Sequence, residues 1–367
     1  MKIRNWIGAL AVSLVTVAYA DYQQPNAPSS GTAAHGSYTR GEPRQVTPEA
    51  GPRVAHGADA FITADFIWWK PTQQGLEYAS SGVINNLGES LTTRGNVHSP
   101  NFSFTPGFKV GLGVNLPYDG WDLTAEYTWI RDNHNKDTVS KSNGNISPSV
   151  FIGSNLITPQ NIASIGDITR AVCHWDFRFN VIDAELGRSH YISQHLILRP
   201  FIGLKGTWQT QIWKANYTAN SVTANGSTSS GTARMYQNHQ LWGIGARSGL
   251  DTTWNLTDAF SIFGNFALSA VWTDYSVDRD DTFQPANTDG AEIVRTHDGS
   301  YYVKNIVEFQ LGMMGQWWFS NDDYHLAVSI GYDQQVWINY GNFIYLIDNG
   351  QADLSLHGLT LKFRFDF

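Results

Sequence analysis

Three features of this 367-residue sequence predict an all-β chain folded as a transmembrane antiparallel β-barrel of about ten strands (10–12). They are an apolar period of two from Ala58 onward, long and short connections in alternation, and an aromatic C-terminal segment. Composition agrees. Only 15% of residues are charged, while 42% are hydrophobic, with 14 Trp, 16 Tyr, 19 Phe and 34 Gly. Such a chain is too apolar and too aromatic to stay disordered. Mean hydropathy is −0.28, and no apolar run beyond the leader nears the roughly 18 residues of a spanning helix, which excludes a helical bundle. A formal charge of −8 argues against nucleic acid as a partner, because that footprint is basic. The single cysteine, Cys173, excludes an intramolecular disulfide framework and a zinc ribbon.

The first element is an export signal, residues 1–20. Lys2 and Arg4 form its basic end, Ile7 to Val17 its apolar stretch, and Ala18-Tyr19-Ala20 its small-residue cleavage pattern. Residues 21–57 are rich in Pro, Gly, Ser, Ala and Gln without periodicity, and read as a flexible N-terminal arm, either a periplasmic tail or a segment threading the pore. Residues 58–367 form the barrel.

Within that region Phe102, Phe104, Phe108, Val110, Leu112 and Val114 alternate with polar or small residues. So do Trp121, Leu123, Ala125 and Tyr127, then Phe260, Ile262, Phe266 and Leu268, and then Leu326, Val328, Ile330 and Tyr332. Successive strand side chains point to opposite faces, so each segment has one apolar and one polar face. Ten strands are expected near 58–70, 100–116, 119–132, 169–188, 194–213, 233–255, 258–276, 299–319, 323–340 and 353–367. A soluble sandwich alternates too, but it has no reason to place every long connection at one end. Here 71–99, 133–168, 214–232, 277–298 and 341–352 are long, and 117–118, 189–193, 256–257 and 320–322 are tight turns. That asymmetry belongs to outer-membrane barrels, with short periplasmic turns and long outer loops. An extra hairpin within 71–99 or 133–168 would raise the count to twelve.

Tryptophans are expected as girdles at the two headgroup boundaries, where an apolar ring with a polar N–H is favoured. Trp121, Trp254 and Trp317 lie beside short turns, whereas Trp69, Trp129, Trp213, Trp272 and Trp337 lie toward long loops. Leu359, Leu361, Phe363, Phe365 and Phe367 alternate strictly to the end. This resembles the C-terminal assembly signal of outer-membrane barrels and implies the barrel insertion machinery as a partner. Physically, the last strand must pair with the first, since an open edge in lipid leaves backbone groups unsatisfied.

If the apolar face meets outer-membrane lipid, the polar face lines the interior. The expected inward acids are Asp122, Glu126, Asp176, Asp183, Glu185, Asp251, Glu308 and Asp333. The expected inward bases are Lys109, Arg178, Arg199, Lys205, Arg247, Lys304, Lys362 and Arg364. The segment 174–188 changes phase near Val181 and Ile182, which predicts a β-bulge there. A mixed lining is either a salt-bridged plug or a wet lumen whose charges tune ion passage.

Ala64-Asp65-Phe66-Ile67-Trp68-Trp69-Lys70 with Gly75-Leu76-Glu77-Tyr78-Ala79, and Asp183-Ala184-Glu185-Leu186-Gly187-Arg188 with Leu198-Arg199-Pro200-Phe201-Ile202-Gly203-Leu204-Lys205, carry a resemblance. Over about 58–367 the chain resembles the Legionella-type pore-forming outer-membrane protein family, itself similar to the major outer membrane proteins of chlamydia-related bacteria. The resemblance implies a bacterial outer-membrane location and a porin-like role. With Cys173 alone, the chain departs from cysteine-rich chlamydial relatives.

No catalytic residues, no metal and no cofactor are expected. Asp132-Asn133-His134 and Asp278-Arg279-Asp280 are similar to elements of the omptin surface proteases, but in the opposite chain order. The acidic run Asp278, Asp280, Asp281, Asp289, Glu292 and Asp298 lacks the Gly and terminal Glu of an EF-hand loop. Gly243, Gly245 and Gly249 lie within a strand, unlike a nucleotide fingerprint, which opens a helix. The expected function is a channel for ions or small solutes. The alternative is a non-conducting surface barrel whose loops bind a partner; homo-oligomerisation is open in either case.

Overall fold

The computed structural model describes residues 48–82, 95–117, 119–141, 146–149, 156–157, 162–224, 226–287, 289–344 and 349–367. The expected leader, and the arm as far as residue 47, lie outside the described residues. Ten long strands follow one another around the wall: β1 (Ala60–Gln73), β2 (Thr105–Asn115), β3 (Trp121–Ser140), β4 (Ile162–Arg188), β5 (Leu196–Ala224), β6 (Ser227–Asn255), β7 (Phe260–Pro285), β8 (Ala291–Phe319), β9 (Tyr324–Ile344) and β10 (Asn349–Asp366). Each pairs antiparallel with the next. β1 then pairs with β10, from Phe61↔Asp366 to Gln73↔Leu354, and the ring closes. Phe367 N–H donates to the Ala60 carbonyl at 2.9 Å and Ala60 N–H to the Phe367 carbonyl at 3.2 Å. Closure leaves no long edge to be satisfied by water.

The wall changes character along its length. Toward the short turns the outward side chains are apolar and bare: Ile202 is 64% exposed, Leu204 57% and Ile244 53%, while inward Asp65, Lys205 and Asp333 are buried. Such an exterior is stable against lipid and unstable in water. Toward the long connections the polarity inverts. Ala171, Cys173, Trp175, Phe177 and Phe179 of β4 and Trp213, Ala215, Tyr217 and Ala219 of β5 point inward and are buried. Asp176, Arg178, Lys214, Asn216 and Thr218 take the outward positions. Strands β4 to β9 run well past their expected outer ends because a polar-out ladder rich in Ser, Thr, Asn and Gly looks like loop in the sequence.

The bulge expected near Val181 and Ile182 is absent. β4 stays in step with β5 from Gly187↔Phe201 to Arg170↔Thr218. The apparent phase change is the inversion of surroundings on an unbroken strand. A bulge does occur in β3, between Asp132 and Asn135. There Asp132 accepts from His134 N–H at 3.1 Å and from Asn135 Nδ2 at 2.7 Å.

Residues 48–57, expected within the flexible arm, are held across the short-turn end. Tyr191 N–H donates to the Pro48 carbonyl at 3.0 Å and Asn115 Nδ2 to the Pro52 carbonyl at 3.1 Å. Arg53 donates to the Leu116 carbonyl at 2.8 Å, and Ala55 N–H to the Asp322 carbonyl at 2.9 Å. Three turns are thereby fastened to one strap. At Gly120, φ is +70° and a Cβ would come within 2.6 Å of the Glu49 side chain, so that turn needs glycine.

Candidate functional site: a charged lumen beneath an aromatic core

Alternate residues of β1 to β10 bring charged groups inward at the level of the apolar exterior, where they form two ion-pair lattices. In the first, Arg199 meets Asp122 at 2.5 Å, Asp251 at 2.8 Å and Glu185 at 3.4 Å. Arg247 meets Glu185 at 2.9 Å and also pairs with Glu308. Lys205, its side chain 1% exposed, bridges Asp183 at 2.8 Å and Glu308 at 3.0 Å. In the second, Lys109 lies 3.6 Å from Glu126 and 3.8 Å from Asp333, and Lys362 lies 3.1 Å from Glu126 and 3.8 Å from Asp65. Three bases against five carboxylates, and two against three, give formal charges of −2 and −1. Arg364 is neutralised by Asp366 at 2.7 Å, which also accepts from His325 at 2.7 Å.

Most of these groups wall a cavity of about 220 Å³, which shares Arg199, Asp251, Asn265, Gln310, Lys362 and Arg364 with a second of about 400 Å³ beneath it. The second cavity reaches the strap at Ala50, Gly51 and Pro52. One oxygen of Asp65 and one of Asp333 lack a hydrogen-bond donor among the described residues.

Above the lattices the interior is dominated by aromatic and aliphatic side chains, with a fully buried Arg279–Asp281 pair at 2.6 Å and a few glutamines among them. Trp175 stacks on Phe177 with centroids 5.2 Å apart, Phe177 neighbours Phe179 at 5.8 Å, and Trp337 meets Phe179 edge-on at 5.6 Å. Several polar ends are paired within this core: Trp175 Nε1 donates to Gln211 at 3.3 Å, Tyr340 OH to Gln209 at 2.5 Å, and Tyr217 OH to the Tyr78 carbonyl at 2.6 Å. Trp213 Nε1 donates to Cys173 Sγ at 3.2 Å, and burial pushes the Cys173 thiol up to about 12. The Tyr78 hydroxyl, buried and donating to Asp137, is likewise raised. Core and lattice touch at Trp69. Trp69 Nε1 donates to Thr360, Thr360 donates to Asp333 at 2.6 Å, and the Lys109 ammonium sits 4.9 Å from the centre of a Trp69 ring.

The expected lining residues divide accordingly. Lys109, Asp122, Glu126, Asp183, Glu185, Arg199, Lys205, Arg247, Asp251, Glu308, Asp333, Lys362 and Arg364 point inward among the lattices. Lys304 points inward too, but donates to the Asn339 carbonyl and lies over Tyr302. Asp176 and Arg178 are corrections, since both lie on the outer surface of β4. Asp65, Asp366 and His325 were missed, although Asp65 and Asp366 keep the phase of inward Thr63 and Arg364.

Tryptophans need the same correction. Trp121, Trp129, Trp254, Trp272 and Trp317 share the outward face, whereas Trp69, Trp213 and Trp337 are fully buried inside. The exterior instead carries Trp68, Trp208 and Trp242, each in phase with outward aliphatic neighbours. Nearness to a long connection was the wrong guide; the period of two was the right one. Leu359, Phe363 and Phe365 are exposed, and Leu361 and Phe367 are half-buried. The two protease-like elements stay apart. Asp132 is buried on β3, Asp278 and Asp280 lie on β7, and three strands intervene.

No curated protein matches the chain significantly. Among solved structures, similarity is weak. The CymD monoaromatic hydrocarbon channel is 8% identical, over 85% of this chain and 89% of that one, with a TM-score of 0.31. The Pseudomonas putida toluene transporter TodX is 10% identical, over 85% and 90%, with a TM-score of 0.27. The sequence family is another matter. Residues 52–367 match the family described as Legionella pneumophila major outer membrane protein precursor, and the match starts within the strap and runs through all ten strands to Phe367. The chain therefore belongs to the Legionella major outer membrane protein family and is an outer-membrane β-barrel protein.

Proposed function

We propose that this barrel is a porin-like, cation-preferring channel for ions or small solutes, with no catalytic role. The observation that carries the reading is the surplus of carboxylates around the stacked cavities at membrane depth, −3 in sum over the two lattices. Fixed negative charge in a low-dielectric wall concentrates cations and repels anions. The half-satisfied carboxylates of Asp65 and Asp333 offer oxygens to a passing cation. The lattice sets a narrow inner path, and the aromatic core above it is the gate that side-chain rearrangement must open. The alternating terminal strand is the segment the insertion machinery would read.

Planar-bilayer recording tests this. Purified protein gives small, discrete conductance steps with a reversal potential favouring cations under a salt gradient. Neutralising Glu126→Gln together with Asp251→Asn moves the permeability ratio toward one; an unmoved ratio removes these groups from the path. A second reading rests on the filled outer interior: a rigid, non-conducting surface barrel. Absence of steps in several salts supports that reading and ends the channel proposal.

A further inference from the structure

The two residues expected in the lumen and found outside, Asp176 and Arg178, belong to an outward cluster that the channel does not use. On β3 and β4, Arg131 and Arg178 are directly opposed partners on the same exposed face. Like charges directly opposite each other repel unless an anion lies between them. The β3 bulge lets Lys136 follow on that same face, opposite His174, whose other neighbour is Lys214. Two carboxylates offset Arg131, Arg178 and Lys136 in part: Asp176, whose partner is His174 at 3.0 Å, and Asp132, which is held by His134 N–H and Asn135 within the bulge. Arg131, Lys136, His174 and Arg178, with Asp132, Asn133 and Asp176, wall a hollow of about 290 Å³ on the outer surface, where three fixed positive charges face two negative ones.

Its position gives its partner. Trp129, Asn180 and Trp208 form one row across β3, β4 and β5, with Tyr127 stacked on Trp208 at 5.9 Å. Arg131 and Arg178 lie two residues beyond that row, or about 7 Å of strand. Aromatic rows of this kind settle at the headgroup boundary, so the basic hollow faces the headgroups of the outer leaflet. On the other side of the row an apolar hollow of about 910 Å³ begins on the same strands and extends across β6, β7 and β8. Ala184, Leu186, Ile202, Leu204 and Ala246 are among its lining residues. A cationic pocket, an aromatic row and an apolar hollow on shared strands match one molecule: a lipid with a phosphorylated headgroup and several acyl chains. We propose that this face binds such a lipid of the outer leaflet, with Arg131 and Arg178 clamping its phosphate. Guanidinium pairs suit that task because each offers two parallel N–H donors.

The test uses the full-length barrel in detergent, with lipid A as probe and its dephosphorylated form as comparison. Wild-type protein retains lipid A at least tenfold better than the dephosphorylated lipid. Arg131→Gln with Arg178→Gln abolishes that preference, and Lys136→Gln alone reduces it about threefold. Arg295→Gln, an exposed base paired with Asp280 and Glu292 elsewhere, changes nothing. Equal retention of both lipids by the wild type overturns the proposal, as does an unchanged preference in the double variant with its folded gel mobility intact. Displacement of lipid A by low-millimolar inorganic phosphate also overturns it, because the pocket would then be a free-phosphate site.

Discussion

The inner and outer halves of this barrel share most of their strands and the same alternation, yet they are inside-out versions of each other. The inner half turns apolar residues outward and holds charge within. The outer half turns polar residues outward and packs aromatics within, as a water-soluble protein does. One strand face thus runs from lipid to water without a break in register, and along β4 the inward face runs from Glu185 through Val181 to Phe177. What decides each residue is the solvent on its two sides, not the geometry of the strand. Stability should follow suit: packing in one half, paired charge in the other.

Phe177→Asp is expected to have the largest effect, because it buries a carboxylate between Trp175 and Phe179. The cost exceeds about 5 kcal/mol. The folded, heat-modifiable form should disappear from gels run without boiling; persistence of that form would mean that water reaches the outer core. Glu308→Ala is expected to rank next. It leaves Lys205 and Arg247 short of a shared carboxylate, at about 3–5 kcal/mol by the urea midpoint of tryptophan fluorescence. A cost near zero would show that the lattice is already hydrated.

Much of this was legible in the sequence. All ten strands, the short turns and the closing pair follow from alternation and connection length, because each strand crosses lipid with one face and pays heavily for any slip. The outer extensions of β4 to β9 were not legible, since they carry the reversed pattern that reads as solvated loop. For the same reason Asp176 and Arg178 were placed inside, and Trp213 and Trp337 outside. The strap at 48–57 carries no periodic signal at all, because backbone carbonyls make many of its contacts.

Two smaller effects sharpen the contrast. Cys173 lies in the outer core with its thiol pushed up to about 12, so below pH 9 it holds roughly a thousandfold less thiolate than a free thiol. Iodoacetamide should leave the folded barrel unlabelled at pH 8 and label it after unfolding; labelling of the folded form would reveal an open outer core. Least of all, Trp208→Phe on the exterior keeps an aromatic ring and loses the N–H and the five-membered half of the indole, for about 1 kcal/mol in the same urea titration. A larger loss would mean that Trp208 packs against protein and not against lipid.

The seam between β1 and β10 has a kinetic consequence. It joins residue 61 to residue 366, so no short-range contact can nucleate it. The chain must hold its other ribbons as a curled, unfinished sheet until both margins find each other, and proteins dominated by such distant pairings fold slowly. During that interval two rows of bare peptide groups face the bilayer. A catalyst that lends a temporary neighbour to one margin would therefore speed the last step more than any other.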